Sequence, residues 1–300
     1  MMRMSEQAQV FMDQIQTRRR EPAKAKTIKA YRSYLDNWVL PYLGKANLKD
    51  VENGTLKTFV ARLNSRLSPT TIVAISSLVK QIVASATDSN GNQLYPRTWN
   101  NEFIDAPLVK PQDLNAPVIA QEALQEALGQ AQRLGMSSDL SLWVLLAGTG
   151  LRIGEALALT SSNWDKENAI IHVKSTLLPD GDIQNSPKTD AGVRQIDLSK
   201  ELNRFLVDTV EGEGNDRVFS GNWRTLYQRL ARAGVSVGFH SFRRFRATHL
   251  DKANVPEGLK RFWLGHAASD ISQRYVKIGS DLQARKEWCE RAGLGFELPL

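Results

Sequence analysis

Cysteine occurs once in the 300 residues, at Cys289, which excludes a disulfide framework and fits a reducing cytoplasm. Histidine is also scarce. Its four positions (172, 240, 249 and 266) never pair at metal-ligand spacing, so the pattern offers no zinc centre. No apolar run approaches the roughly 20 residues a membrane helix needs. The opening MMRMSEQAQV lacks the apolar segment of a secretion signal, so a cytoplasmic protein without membrane contact is expected. There is no phosphate-binding P-loop, no dinucleotide fingerprint, no internal repeat and no low-complexity tract. Any chemistry on phosphate therefore has to rest on side chains, with no cofactor implied.

What is present is an ordinary folded composition, 42% hydrophobic and 24% charged, at a length that suits two domains better than one. Its positive charge is unevenly placed. Residues 1–110 hold 16 lysines and arginines against 9 acidic residues, which accounts for the whole net charge of +7; the remainder balances at 23 of each. A basic front half suits a phosphate backbone held at many points, with salt-dependent affinity.

Apolar spacing of three and four residues predicts helices through the first hundred residues. Val10, Phe11 and Ile15 mark one. Ile28, Tyr31, Leu35 and Trp38 mark a second over 26–39, broken by Pro41 and Gly44. Leu56, Phe59, Val60 and Leu63 share a third face, and a fourth helix runs from Thr70 to about Ala86, capped by Ser68 or Thr70. DSNGN at 88–92 is a turn. The stretch 88–105, with Tyr95, Trp99 and Phe103, reads either as an added element or as a local packing cluster. Prolines 107, 111 and 117 suggest a linker. Helices resume at 121–134 and 138–148. Strands are expected only at 169–174 and 193–197, around a turn at Pro179–Gly181. Further helices follow at 200–211, 222–232, 240–253, 256–264, 269–277 and 279–291.

Four stretches carry chemistry. In TGLRIGE, Arg152 follows a glycine-bounded turn, and its planar, permanently charged fork suits two phosphate oxygens. Glu155 lies three residues on, placed to orient that guanidinium or a neighbouring histidine. In HSFRR, His240 and Arg243 share one helix face, an imidazole for protons beside a cation for charge. Lys188, in SPKT between the two expected strands, can reach from a turn and protonate a departing alkoxide; Lys174 and Lys200 are nearby competitors. His266 ends a helix, and Tyr275 follows nine residues later. A phenol with pKa near 10 becomes a nucleophile only beside cations or a base. By composition alone, Tyr227 has the same credentials.

Taken in order, these stretches resemble the tyrosine recombinase, or phage integrase, family over nearly the whole chain. TGLRIGEAL is similar to its first arginine box, HSFRRFRATHL to its second, and LGHAASDISQRYV to its histidine–tyrosine segment. The resemblance implies a mainly α architecture: a helical core-type DNA-binding bundle over 1–105, a linker over 106–118, and a mixed α/β, mostly helical catalytic domain of the DNA breaking-rejoining type over 119–300. It implies Tyr275 as nucleophile, Arg152 and Arg243 as phosphate clamp, Lys188 as acid, His240 and His266 as proton-handling braces, and Glu155 in support. The implied product is a 3′-phosphotyrosyl link, with no metal or nucleotide required.

The same resemblance implies double-stranded DNA sites as partner. It further implies a homotetramer on two sites from a protein allowed to be monomeric in solution, and room for an accessory DNA-bending or directionality protein. A C-terminal tail over 279–300, with Trp288, Phe296 and Leu298, would dock on a neighbour. The first helix begins so early that no arm-binding domain is expected ahead of it, and Val276–Lys277 replaces a frequent Thr-His. Arg18, Arg19, Arg20, Lys24, Lys26, Lys29, Arg32 and Arg244 are candidate phosphate contacts. Two rival readings use the same residues: a type IB topoisomerase that only relaxes DNA, and a catalytically silent DNA-binding protein.

Overall fold

A computed structural model describes residues 2–109, 117–184, 192–210, 216–266 and 278–299. The chain divides into two compact units, Met1–Asn115 and Ala116–Leu300. No described helix is long and apolar enough to cross a membrane.

The first unit is a helical bundle. Helix α1 (Met4–Thr17) turns Met4, Ala8, Phe11, Met12 and Ile15 inward, as the three- and four-residue spacing requires. Helix α2 (Ala25–Tyr34) does not stop before Pro41, contrary to the expectation from sequence. A π-helical turn over Leu35–Val39 carries it into α3 (Leu40–Leu43). Pro41 follows directly on the π-helical turn, where the hydrogen-bond register has already shifted, and the chain leaves the helix only at Gly44. Helix α4 (Asn53–Asn64) and α5 (Pro69–Ala84) complete the bundle; Ser68 caps α5 by accepting from the Thr71 amide.

The segment after Asn90 is a packing strap over this bundle. Ile104 is fully buried in its core, and Tyr95, Trp99 and Ala106 lie against it. Arg97 donates to the carbonyls of Lys49 (2.6 Å) and Val51 (3.3 Å). Asn53 ties the strap at both faces of its amide, donating to the Thr98 carbonyl and accepting from the Asn100 amide.

The second unit is built around α7 (Ser137–Thr149), whose residues from Asp139 onward are all buried. A helix apolar on every side belongs at the centre, and α6 (Gln121–Arg133) and the later helices pack around it. A short α8 (Ile153–Leu157) follows. The antiparallel sheet runs β1 (Trp164–Asp165), β2 (Ile170–Val173), then β5 (Arg194–Asp197), with Ile171 opposite Ile196 and Val173 opposite Arg194. A separate pair, β3 (Thr176–Leu177) with β4 (Ile183–Gln184), closes over the expected turn, where Leu178 donates to Asp182. Two-residue strands such as β1, β3 and β4 are too short to show alternation, which is why sequence reading passed them over.

Helices α9 (Lys200–Thr209), α10 (Trp223–Arg232), α11 (His240–Lys252), α12 (Glu257–Leu264) and α13 (Leu282–Ala292) finish the unit. The last begins later than residue 279, because Asp281 accepts from the Ala284 amide and caps it there. The helix expected at 269–277 lies outside the described residues.

Candidate active site

The turn Gly148–Leu151 places the centre. Helix α7 ends at Gly150 in a left-handed conformation (φ 73°), a geometry that glycine adopts without strain. A Cβ there would also lie 2.8 Å from the end of the Leu264 side chain and 3.4 Å from Arg246, so α11 and α12 pack closely on this turn. Buried Leu151 anchors the exit. Arg152 then caps α8 with its side chain 44% exposed, facing outward from the fold.

Arg243 comes to this turn from α11. It shares the buried side of that helix with Phe242, which fixes its direction. Its Nη1 donates to the Gly150 carbonyl (2.8 Å), and its Nη2 donates to the Leu264 carbonyl. Nη2 also lies 3.0 Å from Nε2 of His266. A guanidinium cannot accept, so Nε2 of His266 accepts and its ring proton sits on Nδ1. Burial, then the charge of Arg152, pulls the Arg243 pKa down to about 9, still cationic at neutral pH.

His240 opens α11 one turn before Arg243 and is exposed. Burial first, then the charges of Arg244, Arg243 and Arg152, lower its pKa below the ordinary histidine value. His266 is lowered by burial and then by Arg243 and Arg152. Both imidazoles are therefore neutral at pH 7; His266 takes up a proton only by giving up its hydrogen bond from Arg243.

Glu155 is the acidic member, its side chain 3% exposed. Its Oε1 accepts from Arg152 Nη1 (2.7 Å) and its Oε2 from the Arg152 amide (2.9 Å). Burial alone would raise its pKa. The hydrogen bonds and charge of Arg194, followed by those of Arg152, outweigh that and hold it low.

Five expected residues thus converge: Arg152, Glu155, His240, Arg243 and His266. Lys188 and Tyr275 lie outside the described residues. Arg244 is partly engaged by the Pro117 carbonyl (3.0 Å). In the first unit, Arg18, Arg19, Arg20, Lys24, Lys26, Lys29 and Arg32 are all exposed, and Arg18 donates to the Glu21 carbonyl. Tyr227 is exposed and stands edge-on to the buried ring of Phe239 at 4.9 Å, packing on the edge of the core.

Sequence reading missed Arg194. Its side chain is 2% exposed and forms a bidentate pair with Glu155 (2.9 and 3.2 Å). The signal was there: Arg194 and Ile196 must share a face of an expected strand. A charge on the inward face implies a buried partner.

Three guanidinium charges against one carboxylate leave the cluster at +2. With the Arg152 guanidinium at its surface, such a centre can hold a phosphate and stabilise added negative charge on it. It offers neutral imidazoles for proton transfer. Among the described residues, no group of histidine, cysteine and carboxylate side chains is placed to hold a metal ion.

The family model described as the phage integrase family matches residues 118–280, a span that includes Arg152, Lys188, His240, Arg243, His266 and Tyr275. The tyrosine recombinase XerA of Saccharolobus solfataricus is 26% identical over 188 residues, covering 61% of this chain and 60% of that protein's length. Among solved structures, the Tn1549 transposon integrase in complex with a circular intermediate DNA is similar with a TM-score of 0.71. It is 19% identical and covers 96% of this chain and 95% of that one. A lambda integrase tetramer bound to a Holliday junction is similar at 0.62, with 14% identity and 89% and 78% covered. These likenesses establish the architecture: a mainly helical N-terminal bundle followed by a mixed α/β catalytic-type domain.

Proposed function

The chain belongs to the phage integrase family of tyrosine recombinases, and from that premise we propose that it is a site-specific DNA recombinase working through a 3′-phosphotyrosyl intermediate. One observation carries the reading. Arg152, His240, Arg243 and His266 come from stretches up to 114 residues apart, yet the fold gathers them around the buried turn at Gly150, with Arg152, His240 and His266 reaching the surface.

The chemistry follows from their types. The Tyr275 oxygen attacks a DNA phosphorus and loses its proton to a neutral histidine, His240 or His266. Arg152 and Arg243 hold the non-bridging oxygens as charge grows on them. The bond from phosphorus to the 5′ oxygen breaks, and Lys188 supplies the proton for the departing hydroxyl. The phosphate is now esterified to tyrosine, so no bond energy is lost to water. A 5′-hydroxyl from a second duplex attacks that ester in the reverse sense and exchanges the strands. The basic front half, with its exposed arginines and lysines from Arg18 to Arg32, supports double-stranded DNA as partner. Two sites and four protomers, with an accessory bending protein where direction matters, fit a reaction of this symmetry.

The rival that uses the same clamp is supercoil relaxation without exchange. Four-way junctions assembled from DNA flanking the gene distinguish the two. Resolution into recombinant duplexes, without nucleotide or metal, is the expected result. Relaxation of any plasmid with no junction resolution would replace this reading by the topoisomerase one.

A further inference from the structure

Arg194 is unassigned, yet its guanidinium ties together several parts of the centre. Its Nη1 and Nη2 grip both oxygens of Glu155, and the same two oxygens receive Arg152 through its side chain and its amide. Its Nε donates to the Trp263 carbonyl (2.6 Å), three residues before His266, and Nη1 also donates to the Gly192 carbonyl (3.1 Å). Gly192 resumes the described chain after the stretch that contains Lys188. One planar fork thus touches the partner of Arg152, the end of the Lys188 stretch and the last turn of α12, where the Leu264 carbonyl also receives Arg243.

The energetics make this more than a counter-ion. Glu155 is buried, and burial favours its neutral form; the contacts with Arg194 outweigh that. Without them burial moves the carboxyl toward its protonated form, which no longer offers two anionic acceptors. Arg152, half exposed, then loses the brace that sets the direction of its guanidinium. Lysine is a poor substitute, because one ammonium cannot span two carboxylate oxygens and a carbonyl on the far side.

We infer that Arg194 is a positioning residue: by holding the Glu155 carboxylate and the Trp263 carbonyl in place, it sets the Arg152 guanidinium and the His266 turn for the phosphate without touching DNA itself. The inference rests on the recombinase reading proposed above.

The test compares wild type with Arg194→Lys and with the charge-free double variant Glu155→Gln/Arg194→Met. Each is assayed for thermal unfolding, DNA affinity and covalent capture rate on nicked duplexes across pH. The ¹⁵N–¹H signal of the Arg152 side-chain Nε is recorded in parallel. Arg194→Lys should fold and bind DNA but capture it about 100-fold more slowly, the scale expected of a clamp misplaced by about 1 Å. Its capture rate should also fall at a higher pH than in wild type, because Glu155 is released toward the protonated form. The double variant removes both buried charges, so it should fold. It should be slow at every pH and show no such limb. Wild-type capture rates in either folded variant, or slow capture with the wild-type pH profile in Arg194→Lys, would overturn the inference. If wild type itself forms no adduct, the recombinase reading fails, and the Arg152 Nε signal decides the positioning role alone. A signal shifted in Arg194→Lys upholds the role, and one left unchanged overturns it.

Discussion

The histidines carry the most legible pH response of any side chains here. His240, His249 and His266 all have pKa values lowered below 6.5, each with burial as the leading cause. An unfolded chain therefore binds protons at these positions before the folded one does. Stability should be complete above about pH 6.5 and fall as pH drops below it, toward the lowered folded values. Urea unfolding at about pH 7.5 and 5.5 measures this, well above the range where Glu155 titrates. His249→Gln should flatten part of the slope, since that ring is tied to the Ala292 carbonyl (2.7 Å) away from the catalytic cluster. Equal stability at the two pH values would contradict the account. The residue types of the centre were legible in sequence because TGLRIGE and HSFRR put phosphate-binding groups at meaningful spacings. For Arg194 only the inward strand face was legible; its partner was not, since nothing in local spacing says which distant carboxylate a buried arginine meets.

At the scale of elements, the site depends on how closely α8 and the β3–β4 pair approach. Gly154 has no side chain because a Cβ there would lie 2.6 Å from both the Leu177 carbonyl and the Thr176 hydroxyl. The carbonyl is backbone and cannot swing aside. Gly154→Ala should push β3 away from α8, displacing Arg152 and Glu155 on either side of the new side chain. A shift near 1 Å predicts about a 100-fold loss of DNA cleavage. The fold should survive with a stability cost of about 1–3 kcal/mol from overpacking. Cleavage at the wild-type rate would show that the β3–β4 pair does not position the clamp. The helices were readable because their apolar residues recur at three and four. The π-helical turn before Pro41 was not, because a shift of hydrogen-bond register leaves no mark in composition.

Over the whole molecule, each unit carries its own hydrophobic core, and the C-terminal residues are part of the second. Phe296 lies buried edge-on to Phe245 at 6.1 Å, Leu298 packs beside the same core, and Trp288 lies on the cluster of α12 and α13. Docking of these side chains on a neighbour, as expected from the resemblance, would require them to leave this packing first. Helix α13 is held by Arg285, whose Nε and Nη2 meet both oxygens of Asp197; Asp197 also accepts from the Trp263 indole (2.7 Å). Both charged side chains are almost fully buried. Removing one partner strands the other, so Asp197→Ala should cost about 3–5 kcal/mol in urea unfolding. A cost below about 1 kcal/mol would mean that α13 is held by its apolar contacts alone. The proposed reaction needs this architecture to deliver Tyr275 to a phosphate clamped by Arg152 and Arg243. Its most direct test is covalent capture on nicked duplexes from DNA flanking the gene, with Tyr275→Phe beside the wild type and adducts sequenced from a denaturing gel. Wild type should form a 3′-linked adduct that disappears in Tyr275→Phe. An adduct that persists in Tyr275→Phe, with Tyr227 the next residue to replace, would contradict it.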